Sequence, residues 1–413
     1  MPVKLNTIPG PAWRPSPPKP LRWLSALVCL VAAGILVMRF LGKFLEENAF
    51  WWFAIGVPVV LWGALMGFRL AIYTMQLIQA NAWDQRREAV ILQETRRGRR
   101  ALQILAAECS TAHLADVQFI TMTDSLLRNE HKLVSQRSWK GENGVRHSRL
   151  PAAEGLALEA QISAAFADLL KSFATPLSAL SSEMSVNVLL ESSCSLPPAR
   201  VQEIWQQAWL ESQIKRSTQF VTGSGMAVID YWLDHHINEK AVLLVVALQI
   251  APEQPEMTAE AVVGLLLGNR LTQHVLMPIA LLHRPESSGA KAEALQETVL
   301  QALDWVPLLP PGSLQHLWLV GLFGQTETYQ SVVIAQSQEP LVSIDLNSGV
   351  HNFDEFLGDP GSAGPWLAIA AAAQVISHSP APHMVISGDT GSESDTVWCT
   401  VVAPTASHKE NQA

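Results

Sequence analysis

Two stretches near the N-terminus carry no charge. Trp23–Met38 reads WLSALVCLVAAGILVM, and Ala49–Phe68 reads AFWWFAIGVPVVLWGALMGF. A bilayer core takes about 20 apolar residues of helix. The second stretch reaches that length alone, and the first does so when Arg39 snorkels and Phe40 and Leu41 are included. Only RFLGKFLEEN separates them, enough for a tight turn. The pattern predicts a transmembrane helical hairpin over 23–72. Pro58 is tolerable inside a membrane helix, and Gly56, Gly63 and Gly67 favour close approach of the two helices. The Pro-rich stretch PGPAWRPSPPKP marks 1–22 as an extended, mobile tail. Residues 73–108 have helical composition and predict a basic helix continuing out of the membrane.

Beyond the hairpin, strand and helix patterns alternate over 109–405, with possible halves at 109–283 and 292–405 divided by the loop RPESSGAK. Leu114–Met122 reads as a first strand, and 129–150 as a surface loop. Apolar residues recur at 3- and 4-residue steps from Ala152 to Phe173, a helix that Pro176 is expected to stop. VNVLL (186–190) reads as a buried strand, and Pro197 and Pro198 open a helix to about Ser212. A helix follows from Gly223 to about Asp234. AVLLVVALQI (241–250) is continuously apolar, the mark of a strand covered on both faces. Strands are also expected at 259–268, 275–283, 317–322, 341–346, 383–387 and 396–404, and helices at 292–305, 326–336 and 366–377. Ser348–Gly364 reads as irregular, and the tail 406–413 as polar. The stretch WLAIAAAAQVIS (366–377) has no charge and no polar face, so it predicts a helix buried between two sheets. The fold class is α/β, layered, with helices on both sheet faces.

Charge sets the orientation. Lys4, Arg14, Lys19 and Arg22 precede the first span, and Arg69, Arg86, Arg87, Arg96, Arg97, Arg99 and Arg100 follow the second. The intervening loop has only Arg39 and Lys43. Both outer flanks are therefore expected on the cytoplasmic side, with the large domain there too. The net charge of −9 lies in the soluble part, which argues against nucleic-acid binding. The basic run QRREAVILQETRRGRR reads as a topology signal that also attracts anionic lipid. The cysteines, Cys29, Cys109, Cys194 and Cys399, form no C-x-x-C pattern.

The segment LGDPGSAGPWLAIAAAAQVI resembles the G-H-x-x-G-A-A-G stretch and Ala-rich buried helix of the β-ketoacyl synthases, which have a thiolase-type five-layer fold. In that family the histidine completes a Cys-His-His site. Here Asp359 stands in its place, and a carboxylate cannot stabilise an oxyanion. The resemblance therefore implies a catalytically inactive copy of a thiolase-like domain. With the hairpin, the layout and the LLVVALQ and LGDPGSAGPW blocks, the chain resembles the type VI secretion lipase adapter proteins. That resemblance implies a membrane-bound adapter with a secreted effector and a secretion spike component as partners. No functional residue carries over from it, and no cofactor or metal is expected.

Candidate chemistry is sparse. Cys194, in ESSCSLPP after a strand, is a candidate nucleophile. His351 in VHNFDE is a candidate acid or base in a loop, and Asp359 completes the set. An enzyme acting on acyl or lipid-linked substrates is the alternative function. Asp230 and Asp234 share a helix face with His235 and His236 nearby, too few ligands for a metal site. Gly321–Gly324 lacks the spacing of a phosphate loop, and the chain has no G-x-S-x-G elbow.

Overall fold

The computed structural model describes residues 5–41, 47–113, 122–151, 156–272, 275–307, 310, 312–322, 326–389 and 396–405. The chain divides into two compact units, Lys4–Thr95 and Arg96–Ala413. Helix α1 spans Pro20–Leu41, α2 is Glu47–Trp51, and α3 begins at Val57 and ends at Gly98. Pro20–Phe40 and a window within Glu47–Gly98 are long and apolar enough to cross a membrane.

A π-helical turn, Trp52–Gly56, joins α2 to α3. Pro58 has no N–H to offer the Ala54 carbonyl, and the widened turn accommodates that loss. The same carbonyl faces Gly34: a Cβ there would stand 2.5 Å from it and 2.7 Å from the Pro58 ring. Gly34 therefore serves the close approach expected of Gly63 and Gly67, which have nothing within 4 Å. The Trp62 indole donates to the Trp23 carbonyl at 2.7 Å.

The tail expected to be mobile is strapped to α3. Arg87 donates to the Pro9 carbonyl at 2.7 Å and Trp83 to the Gly10 carbonyl at 3.3 Å. Asp84 accepts the Ala12 N–H at 2.9 Å and the Arg14 guanidinium at 3.4 Å.

The basic helix does not run to 108. It stops at Gly98, where a Cβ would meet the Trp305 ring at 2.4 Å, and Ala101–Ser110 is strand β1. Most of β1 is buried, so its sequence lacks the alternation of a half-exposed strand.

The first half of the domain continues with α4 (Met122–Leu127), β2 (Val134–Gln136), β3 (Val145–Ser148), α5 (Leu158–Ala179), β4 (Ser185–Ser193) and α6 (Pro198–Glu211). Then come β5 (Thr218–Phe220), α7 (Met226–His235), β6 (Ala241–Gln249), β7 (Thr258–Ala259) and β8 (Ala261–Gly268). The second half opens with β9 (Ala280–His283), β10 (Glu286–Ser288), α8 (Ala292–Asp304), β11 (His316–Val320) and α9 (Thr326–Gln336). It closes with β12 (Val350–Asn352), α10 (Phe353–Phe356), α11 (Gly364–His378), β13 (His383–Gly388) and β14 (Val397–Pro404).

The main sheet runs β12-β11-β13-β14-β9-β1-β8-β6-β4-β5, with β10 on β14. One pattern is used twice. Strands β5, β4 and β6 are parallel, and β8 and β1 follow antiparallel. Strands β12, β11 and β13 are parallel, and β14 and β9 follow antiparallel. The halves join where β1 pairs with β9, from Ala101 opposite His283 to Ile104 opposite Ala280. They divide between β8 and β9. The segment 284–291, read as a dividing loop, contains β10.

Alternate residues of β6 face opposite ways. Val242, Leu244, Val246 and Leu248 pack with α5 and α6, and Leu243, Val245 and Ala247 with α7 and α11. In β11, Leu317 and Leu319 pack with α8 and α9, while Trp318 and Val320 turn towards α11. The layers therefore run helix, sheet, helix, sheet, helix. Helix α11 is buried continuously from Gly364 to Ala373, as its uncharged sequence predicts.

Other boundaries differ from the sequence reading. Pro176 lies inside α5, which continues to Ala179 because Leu177 is buried in the core. Leu341–Ser343 is a 3-10 turn and not a strand. Leu341 and Ile344 are both buried at a spacing of three, which fits a turn as well as a strand. One edge strand, β12, lies inside the stretch read as irregular. The strand expected at Leu114–Met122, the acidic turn at 390–395 and the tail 406–413 lie outside the described residues, save that Met122 begins α4.

Candidate functional site

In layered α/β sheets a ligand site forms outside the carboxyl ends of the parallel strands. Here those ends are Ser193 on β4, Gln249 on β6, Val320 on β11 and Gly388 on β13. The N-termini of the two central helices, α7 and α11, lie among them. Gly225, with a φ of +58°, precedes α7. Trp366 lies in the first turn of α11.

A helix N-terminus is a positive pole with unsatisfied N–H groups, suited to anions. In this protein a side chain of the chain itself fills that role. Glu191, near the end of β4, accepts the Gly225 N–H at 2.6 Å on one oxygen and the Trp366 indole at 2.9 Å on the other. The residue is 8% exposed, and burial raises its pKa, with Asp389 adding to the rise against the lowering effect of its two bonds. Asp354 accepts the N–H groups of Gly321 and Leu322 at 2.9 and 2.7 Å, at the end of β11. Gly321 and Gly388 touch so closely that a Cβ on Gly388 would lie 2.1 Å from the Gly321 carbonyl.

A second polar cluster lies beside it. The Ser193 and Ser362 hydroxyls are 2.9 Å apart, and the Ser362 N–H donates to Ser193 at 3.1 Å. Gln249 donates to the Ala259 and Asp359 carbonyls at 2.9 and 2.6 Å. Gly361, at φ +55°, leaves room for Gln249, whose side-chain oxygen would be 2.0 Å from a Cβ. The Asp359 carboxylate accepts the Gly361 N–H at 2.9 Å, and burial raises its pKa.

The segments of Cys194 and Asp359 thus meet through Ser193 and Ser362. Cys194 itself does not join the cluster: its thiol donates to the Leu196 carbonyl at 3.9 Å, and it packs at the edge of the outer core with α5 and α6. Burial raises its pKa, as it does those of Cys109 and Cys399. A reactive thiolate needs the opposite shift.

His351 sits elsewhere and is not in a loop. It is a fully buried residue of β12. Its Nδ1 lies 2.8 Å from the Asn129 side-chain oxygen and its Nε2 2.9 Å from His316 Nδ1, and its ring stacks on Trp318 at 4.2 Å. His383 accepts the Trp318 indole N–H at 3.2 Å. These histidines bind each other and their neighbours. Among the described residues no group of three or more His, Cys, Asp or Glu could hold a metal ion.

Asp230 and Asp234 belong to a buried ion network. Arg284, with no exposure, bonds Asp230 and also Asp234, the latter at 2.6 Å. Arg97 donates to Asp234 at 2.8 Å through Nε, and Arg100 lies 3.7 Å from the same carboxylate. Arg97 and Arg100, read as lipid-attracting charges, are therefore engaged within the domain. His236 pairs with Glu239 at 2.7 Å. Separately, a cavity of about 280 Å³ opens between α5 and β1, walled by Leu156, Ala165, Leu169 and Val262 with Glu108 and Asp168 at its lining.

The sequence reading missed Glu191, Gln249 and Arg284, whereas Asp354 lies in the VHNFDE stretch it singled out, where it accepts two backbone N–H groups. A single acid closing an apolar strand, as in VNVLLESS, is the one signal that pointed to Glu191.

No protein-family profile matches the chain, and no curated protein does. Solved structures do. The ishigamide ketosynthase/chain length factor superposes with a TM-score of 0.50 at 13% identity, covering 74% of this chain and 100% of its own. The peroxisomal 3-ketoacyl-CoA thiolase of Saccharomyces cerevisiae, described as five-layered with two core domains of identical topology, gives 0.47 at 11% identity, covering 74% and 98%. Human mitochondrial 3-ketoacyl-CoA thiolase in complex with CoA gives 0.46 at 9% identity, covering 75% and 99%. The domain has a thiolase-like layered α/β fold, preceded by two helices long and apolar enough to span a membrane.

Proposed function

We propose that this chain is a membrane-anchored, non-catalytic adapter of the bacterial inner membrane, its thiolase-like domain cytoplasmic. The observation that carries the non-catalytic reading is Glu191. Its carboxylate ties the Gly225 N–H at the start of α7 to the indole side chain of Trp366 in the first turn of α11. An anionic acyl intermediate brought there would meet Glu191 with Asp389 close by, an arrangement that disfavours the charge such chemistry develops. The anchor reading is supported by the apolar helices and by the strap, which holds residues 9–14 beside residues 83–87 of α3. Both flanks then lie on one side of the bilayer. The class of partner, a lipase-type effector of type VI secretion delivered to a spike component, comes from the sequence resemblance alone.

Affinity purification of the full chain from solubilised membranes tests this reading. The expected result is one enriched secreted effector with a spike protein. Recovery of the chain alone counts against it. A second reading, an enzyme acting on acyl or lipid-linked substrates, draws on the fold and on the cavity beside α5. It predicts thioester turnover that Cys194→Ala or His351→Ala abolishes.

A further inference from the structure

The part of α3 beyond Arg69 carries an apolar stripe of its own. Phe68, Ala71, Met75, Ile78, Ala82, Gln85, Ala89 and Leu92 follow one another at steps of three and four, all apolar but Gln85. All eight are exposed, Phe68, Met75, Ile78 and Leu92 by 68, 70, 68 and 58%. Leu61 and Ala64 extend the same stripe into the apolar part of the helix. The period is 3.5, the repeat of a left-handed two-stranded coil rather than the 3.6 of a straight surface helix.

The opposite face of α3 is already used. In the heptad defined by that stripe, Trp83, Asp84 and Arg87, which hold the N-terminal strap, take outer positions, as does the buried Ala80. The strap thus lies along part of the outer face of this helix and leaves the seam open. Lipid does not cover the far end. At about 1.5 Å per residue, Leu92 lies about 35 Å past Arg69 along the helix.

We propose that α3 pairs with α3 of a second copy in a parallel coiled coil running from the bilayer to Leu92. A common membrane holds two copies parallel and level, and this orientation rests on the membrane reading above. The flanking positions suit self-pairing. In a parallel pair Asn81 meets Arg86 and Glu88 meets Gln93 of the second copy, so no like charges oppose. Alanines at three core positions allow the backbones to approach closely, and Gln85 supplies one polar position that favours a single register.

Disulfide cross-linking of the full chain in native membranes tests the pairing. The background carries Cys29→Ser, because Cys29 is exposed on α1. A disulfide needs Cα atoms within about 7 Å, which seam positions reach and outer positions do not. Ile78→Cys and Leu92→Cys should form a covalent dimer on oxidation, and Gln76→Cys and Val90→Cys should not. Equal cross-linking at seam and outer positions, or none at the seam, overturns the proposal. In detergent, Met75→Asp with Ile78→Asp should weaken the dimer at least about a hundredfold. These side chains are exposed in the single chain, so its own fold does not depend on them. Carbonate extraction of the same membranes reports on the anchor separately. A protein that washes off yet cross-links only at the seam keeps the pairing and loses the anchor.

Discussion

Glu191 gives its two carboxylate oxygens to two different donors, the Gly225 N–H and the Trp366 indole. Glu191→Ala leaves both unpaired, at about 1–3 kcal/mol each, and should lower the urea midpoint. Glu191→Gln mimics the protonated side chain. Burial raises the folded pKa above the ordinary 4.5, so the contribution of this group is complete below pH 4.5 and is lost as pH rises through the raised value. Glu191→Gln should therefore cost less than Glu191→Ala at neutral pH, measured by denaturant titration. His351 and His383 work in the opposite sense. Burial, and then the neighbouring His316, push them down to about 3 and about 2. Their contribution is complete above the ordinary 6.5 and is lost as pH falls below it. The melting temperature should drop between pH 6.5 and 4.5, and His383→Gln, which keeps an acceptor for the Trp318 indole, should make that drop shallower. A slope unchanged by the substitution would contradict this.

At the scale of elements, the link between α7 and the start of the domain is ionic. Arg284 is fully buried against Asp230 and Asp234, and Arg97 reaches Asp234 from the last turn of α3. Asp234→Ala removes one counter-charge from a buried cation and should cost about 3–5 kcal/mol. Arg97→Ala, at a half-buried position, should cost less in the same denaturant measurement. This network also shows what the sequence displays and what it hides. Asp230 and Asp234 announce a shared helix face through their spacing, but Arg284 lies 50 or more residues away, and nothing local marks it as their partner. Strand β6 was legible because eight apolar residues in a row, Ala241 to Leu248, fit a strand covered on both faces. Strand β1 was not, because Ala, Leu and Gln read as helix and its burial hides the alternation. The buried α11 was legible from its lack of charge. Glu191 was hidden because its role depends on Gly225 and Trp366, which are brought to it only by the fold.

Across the whole chain, charge is segregated. Residues 1–100 hold 13 Lys and Arg against 5 Asp and Glu, and residues 101–413 hold 15 against 32. The basic part suits the cytoplasmic flanks of a hairpin, and the acidic domain suits a partner with a basic face. Partner recovery should fall as salt rises from about 0.1 M to 1 M, where the screening length drops from about 10 Å to 3 Å. Recovery independent of salt would point to an apolar interface instead. The duplicated topology places two matching halves of one sheet against α7 and α11.

The central claim is that this thiolase-like body performs no acyl chemistry, because Glu191 engages the start of α7 and the Trp366 side chain, and burial raises the pKa of Cys194 instead of lowering it. Intact-mass measurement of the full chain after incubation with acyl-CoA thioesters tests it most directly. The account predicts an unchanged mass. A single acyl adduct that Cys194→Ala abolishes would contradict it.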